Sequence, residues 1–299
     1  MAQRSSLLSP ETVAKIASVA LRARHLALGT LTGIHKSPHK GSSIEFLEHK
    51  RYTPGDDLRA LDWKLLARSD KYYVKEFEDE TNLRAMLVVD ASASMGYAPD
   101  GHAKLDTARL AAGALAYLLL SQADAVGLLS QHGGERLYVP ARAAFGHFRA
   151  LAAGLDRLRA VGGPAWLDHL TALVPGFRRR GMFIILSDLF VDRQRAMDAL
   201  RLLRDRRHDV ILLHVLHPYE LEFPFHGPLT FTDIEDAGRR LLTDPEACRD
   251  EYLALLREMC EYYRNQATAL EIDYQVLRSD APLEDALVRY LAWREARLG

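Results

Sequence analysis

The chain has 299 residues, 48% hydrophobic and 26% charged, enough for one large core or two smaller ones. A formal net charge of -1 and a sequence pI near 6.9 supply no strong field for nucleic acid or an anionic membrane. The longest apolar stretch, Leu110 to Leu120, is too short to span a bilayer. No signal-peptide pattern opens the chain. The two cysteines, Cys248 and Cys260, fall on one helical pattern, about 18 Å apart and beyond disulfide reach. A soluble, cytoplasmic protein without a membrane span is expected.

Ser9-Pro10-Glu11 reads as a helix start, with Ser9 as cap and Pro10 in the first turn, and apolar spacing carries the helix to about Leu28. Thr30 to Ser43 is a Gly-, Ser- and Pro-containing loop. The stretch Arg51 to Trp63 is dense in charge but holds aromatics: Arg51, Tyr52, Asp56, Asp57, Arg59, Asp62 and Trp63. Pro54-Gly55 suits the centre of a type II turn. One reading is a salt-bridged junction, with Arg51 and Arg59 paired to the aspartates and Trp63 as buried anchor. The other is a partner-binding surface. A short helix near Trp63 and a strand from Tyr72 to Phe77 complete this small extended segment, and residues 1–80 are expected to precede an α/β domain over 81–299.

From Leu83 onward strands and helices alternate. Ala85 to Val89 is an unbroken apolar run, short enough for a strand buried on both faces. It ends at Asp90, and Ser92, Ser94 and Gly96 follow at two-residue steps. A carboxylate and two hydroxyls thus leave the carboxyl end of a strand, where ligands sit in open α/β sheets. They suit a hard cation such as Mg²⁺, or alternatively cap the next helix. A helix over Ala103–Ser121, strand Ala125–Ser130 and hairpin turn Gly133-Gly134 come next. Helices at 145–158 and 167–177 precede strand Met182–Leu186, which ends at Ser187-Asp188. A helix at 193–206, strand Val210–Leu216, an insertion from Phe223 to Asp233 that returns at 239–243, and a long helix from Asp244 follow. Strand Ile272–Leu277 and a helix from Pro282 close the chain. The alternation predicts a doubly wound, mostly parallel sheet with one antiparallel strand.

None of the twelve histidines has metal-ligand spacing, and His214 and His217 are read as structural residues on opposite faces of one strand. The arginine runs at 178–180 and 204–207 are read as solvated helix ends. Asp90 lacks the second aspartate two residues on that aspartate-nucleophile phosphatases commonly carry, since Ser92 stands there.

Asp90-x-Ser92-x-Ser94 resembles the metal-ion-dependent adhesion site of von Willebrand factor A-type domains. Together with Arg51-Tyr52-x-Pro54-Gly55-Asp56-Asp57-x-Arg59-x-x-Asp62-Trp63, it resembles domain-of-unknown-function family fifty-eight. The resemblance implies a von Willebrand factor A-like six-stranded sheet of order 3-2-1-4-5-6 with the Asp90 strand central. It implies metal ligation by Asp90, Ser92, Ser94 and Asp188, with an open position filled by a partner carboxylate, and a link to a MoxR-class AAA ATPase acting on a further client protein. The second loop departs from the pattern: Gly162-Gly163-Pro164 has proline where a threonine hydroxyl is usual, so Mg²⁺ is expected to bind weakly or not at all in the isolated protein. The expectation is a non-enzymatic adaptor with no catalytic residues. The competing reading is a metal-dependent hydrolase using Asp90 and Asp188.

Overall fold

The computed structural model describes Leu7, the backbone of residues 45–51 and 73–78, and residues 83–282 apart from 178 and 235–237. The expected amino-terminal helix, the short helix near Trp63 and the helix after Pro282 lie outside the described residues. So do Tyr52, Asp56, Asp57, Arg59, Asp62 and Trp63. The chain divides into two compact units: Met1–Thr32 with Leu83–Arg294, and Gly33–Asn82 with Glu295–Gly299.

In the smaller unit, strand β1 (Glu45–Arg51) pairs antiparallel with β2 (Tyr73–Glu78), and Arg51 opposes Tyr73. The strand β2 is legible in the sequence. β1 is not, because Glu45, Glu48, His49 and Lys50 hide its alternation among charges.

The larger unit begins with β3 (Arg84–Val89), α1 (Lys104–Ser121), β4 (Ala125–His132) and β5 (Glu135–Arg142). Next come α2 (Phe148–Arg157), α3 (Trp166–Leu173), β6 (Met182–Ser187), α4 (Arg193–Asp205) and β7 (Asp209–Leu216). The short helix α5 (Pro218–Glu222), the hairpin β8 (Leu229–Thr232) and β9 (Arg240–Thr243), α6 (Pro245–Ala269) and β10 (Asp273–Arg278) are the last of its described elements.

The sheet order is β10-β7-β6-β3-β4-β5. Counting strands within the sheet, that is 6-5-4-1-2-3, the order the resemblance implies read from the other edge. Every neighbouring pair is parallel except β4 with β5, which the Gly133-Gly134 turn joins at φ +58 and +89. The fold is therefore von Willebrand factor A-like, with β3 and β6 at its centre.

Alternation along β3 shows why the sheet is covered on both sides. Ala85, Leu87 and Val89 enter one core cluster with Leu105, Ala108, Ala112, Leu115 and Leu119 of α1 and Leu151 and Leu155 of α2. Met86 and Val88 enter the other, with residues of α3, α4 and α6. A strand with no polar face is a strand between two helical layers. Leu7 is buried against the first cluster, and its N–H donates to Asp156 Oδ1 at 3.1 Å.

One expectation is corrected, and one short helix was not read from the sequence. His217 lies beyond the end of β7 and caps α5, so it does not share a strand with His214. The insertion is preceded by α5 itself, which Pro218 at the first position and the His217–Glu220 capping box define. No described helix is long and apolar enough to cross a membrane.

Candidate functional site

Three loops meet at the carboxyl ends of the central strands. β3 delivers Asp90, and the chain then turns through a short 3₁₀ segment, Ala93–Gly96. Two backbone bonds tie this loop to the Gly162 loop: Ala93 N–H to Gly162 O at 2.8 Å and Val161 N–H to Ala91 O at 3.1 Å. Gly96 is required by proximity, not by a left-handed turn, since a Cβ there would stand 2.9 Å from the Ala160 Cβ. Gly162 does need its freedom, at φ +74.

Asp90 is fully buried. Its Oδ1 accepts the Ser92 N–H at 2.8 Å and its Oδ2 accepts the Ser187 hydroxyl at 2.6 Å. Both donors are neutral. Burial, and after it the charge of Asp188, pushes the Asp90 carboxyl up to about 6, against the pull of its hydrogen bonds from Ser187 and Ser92. Ser92 is buried and Ser94 half-buried, and their hydroxyls lie 3.1 Å apart. Neither serine caps α1, whose cap residue is Ala103; Ser92 stands at the cap position of the 3₁₀ turn but makes no side-chain cap bond there.

Asp188 is satisfied in a different way. Its Oδ2 takes the Lys104 ammonium at 2.8 Å, and the same ammonium reaches Glu220 Oε1 at 2.6 Å. Lys104 and Asp188 side chains are 0% exposed and Glu220 only 9%. The Phe190 ring lies 4.8 Å from the ammonium, a cation–π contact. Burial raises the Glu220 carboxyl above the usual range, with the Lys104 charge opposing. Asp188 Oδ1 accepts the Phe190 N–H at 3.2 Å. The cap of α4 is Asp192, which accepts the Arg195 N–H at 2.8 Å. Between them Leu189 is buried at φ +56, a left-handed conformation that costs a branched residue energy and marks the loop as constrained.

His214 braces this third loop from below. A carbonyl oxygen only accepts, so His214 Nε2 donates to Asp188 O at 2.8 Å, and Nδ1 accepts the Tyr274 hydroxyl at 2.7 Å. Burial holds the imidazole down to about 4, hence neutral. With both nitrogens engaged, His214 is neither a metal ligand nor an available base.

The donor set fits a hard cation in part. In an Mg²⁺ octahedron with bonds of about 2.0–2.1 Å, adjacent oxygens stand about 2.9 Å apart. The Ser92–Ser94 separation of 3.1 Å approaches that edge, and Asp90 beside it brings a carboxylate held only by neutral donors. The second loop offers no side-chain oxygen: Pro164 lines a surface depression beside Leu189, Phe190 and Met259. Thr171 donates to Leu167 O at 2.8 Å inside its own helix, and Asp168 pairs with exposed Arg195. Among the described residues no three His, Cys, Asp or Glu side chains form a metal cluster.

Sequence reasoning missed Lys104 and Glu220. Lys104 carried a readable signal: it stands in register with buried Ala108, Ala111 and Leu115 on α1, in the first turn, where the helix dipole disfavours a cation. A lysine there requires a specific anionic partner. Glu220 also borders a cavity of about 490 Å³ lined by Tyr97, Phe190, Phe223, Phe225 and Tyr252, among others. A smaller depression shares Tyr97, Phe190 and Glu220 with it and reaches Ser94.

The family described as "Protein of unknown function DUF58" matches residues 48–261. An uncharacterized protein of Mycobacterium tuberculosis is 31% identical over 253 residues, spanning 83% of this chain and 79% of its own. Among solved structures, the conserved hypothetical protein BatB from Bacteroides thetaiotaomicron is 15% identical with a TM-score of 0.47, covering 72% of this chain and 99% of that one. The SpRpn10 VWA domain is 10% identical with a TM-score of 0.39, covering 70% and 95%.

Proposed function

This chain belongs to the family of proteins of unknown function DUF58, and on that footing we propose that it is a non-enzymatic protein-binding adaptor. Its contact face is the carboxyl end of the sheet, around Asp90, Ser92 and Ser94, built as a degenerate metal-ion-dependent adhesion site. The observation that carries the reading is the hydroxyl pair of Ser92 and Ser94, 3.1 Å apart beside a buried carboxylate that, among the described residues, no cationic side chain pairs. Asp90, Ser92 and Ser94 would hold Mg²⁺ weakly, most of its other ligands being water. When bound, the ion supplies a Lewis-acidic position for a carboxylate of the partner. Exposed apolar side chains surround this end of the unit: Phe190, Leu241 and Leu255 all line the adjoining cavity, at 38%, 63% and 57% exposure. Such a patch beside a polar focus suits a protein surface.

The family resemblance nominates a MoxR-class AAA ATPase as the partner, acting with this protein on a client. The hydrolase reading draws no support from the imidazole bonded to the Asp188 carbonyl, since both nitrogens of His214 are occupied. Binding of the purified chain to the purified ATPase from the same host tests the proposal. Mg²⁺-dependent binding that the Ser92→Ala/Ser94→Ala double variant loses is the expected result. Turnover of a phosphoester, peptide or ester substrate with Mg²⁺ or Mn²⁺, abolished in a folded Asp90→Ala variant, would overturn it.

A further inference from the structure

The two aspartates that the sequence pattern groups together face different counter-charges. Among the described residues Asp90 meets only hydroxyl and amide donors, whereas Asp188 Oδ2 is taken by an ammonium that arrives 84 residues earlier in the chain. That ammonium cannot drift away. It is itself fully buried, clamped between Asp188 and Glu220, and roofed by Phe190. Glu220 in turn is fixed by the α5 capping box, where its other oxygen accepts the His217 N–H at 2.7 Å.

We infer that Lys104 is the resident counter-cation of Asp188, a positioning residue that withdraws this carboxylate from the cation site and leaves Asp90, Ser92 and Ser94 to bind Mg²⁺ alone. The inference rests on reading those three residues as a weak cation site. Two effects act in the same direction. The ammonium occupies Asp188 Oδ2, which is then no longer free for a metal or its bound water, and its positive charge opposes that of a divalent ion beside it. Pro164 deprives the site of a neutral ligand; Lys104 deprives it of a charged one. Weak affinity is then a built property, and the incoming partner carboxylate restores the negative charge that Lys104 has cancelled. The Lys104–Asp188 pair keeps the third loop in place whether or not Mg²⁺ is present.

The test is calorimetric titration of the full-length chain with Mg²⁺ alone, with melting temperature in EDTA as the check of folding. The variant Lys104→Met/Glu220→Gln removes the ammonium together with one of its two carboxylates, so that the net charge of the cluster is unchanged and Asp188 is left as the released carboxylate. It should bind Mg²⁺ at least about tenfold tighter than wild type. Adding Asp188→Asn should return the affinity to the wild-type level, because the gain comes from the released carboxylate. Should the double variant not fold, Lys104→Gln, whose neutral amide a cation can displace from Asp188, carries the same expectation. Equal affinity in wild type and double variant would overturn the role of Lys104 while leaving the weak site standing. Tight binding that survives Asp188→Asn would mean Lys104 acts by its field alone, and the positioning role falls. No Mg²⁺ binding by any of these proteins would remove the cation site and this inference together.

Discussion

Asp90 and Asp188 close neighbouring parallel strands, are equally buried, and are stabilised by opposite means. Asp90 is held by its own loop and by Ser187, through neutral donors, and its carboxyl is pushed up to about 6. Asp188 is held by Lys104, which also binds Glu220. A buried carboxylate with only neutral partners retains an unsatisfied charge and so a use for an external cation. One paired with a buried ammonium has already met that need inside the protein.

The largest effect is expected where the internal pair is broken. Lys104→Ala leaves Asp188 and Glu220 buried without their cation and should cost about 3–5 kcal/mol in chemical denaturation. Asp90→Asn keeps an acceptor for the Ser92 N–H, and Ser187 can turn its hydroxyl to accept, so in Mg²⁺-free buffer the cost should stay within about 1 kcal/mol. Equal losses in the two variants would break the comparison.

Ser92→Ala/Ser94→Ala sharpens it from the other side. Removal of the hydroxyl pair should change stability by less than about 1 kcal/mol while abolishing calorimetrically detectable Mg²⁺ binding. A smaller effect is expected of Pro164→Thr. Threonine can adopt the proline φ near −65°, so the variant restores one neutral oxygen, and Mg²⁺ affinity should rise only a few-fold. Equal affinity in two equally folded proteins would mean that the second loop never approaches the ion.

A pH series provides the baseline away from both aspartates. Burial, and after it the charge of Arg206, holds the His208 imidazole below its ordinary 6.5, and its Nδ1 accepts the Gly181 N–H at 3.1 Å. The unfolded chain therefore takes up this proton first as pH falls. The contribution of His208 is whole above pH 6.5 and is lost as pH falls through the folded value. His208→Asn, which retains an acceptor, should flatten the stability curve in that acid window; an unchanged slope would show that the loss arises elsewhere.

Much of this molecule is legible along one dimension. The apolar runs of β3 and β6 announce strands buried on two faces, and alternation with helices predicts the parallel sheet. Asp90, Ser92 and Ser94 are close in sequence, so their spacing alone brings them into one loop. β1 escaped because charged residues obscured its period, and α5 because a helix of five residues has no room for one. The fate of Asp188 was decided only in three dimensions. Lys104 lies 84 residues before it and Glu220 lies 116 residues after Lys104. No local period joins the three; the crossover connections of the sheet do. A charge inside a protein is governed by what stands within a few ångströms of it, and for these residues that neighbourhood exists only once the strands are in order.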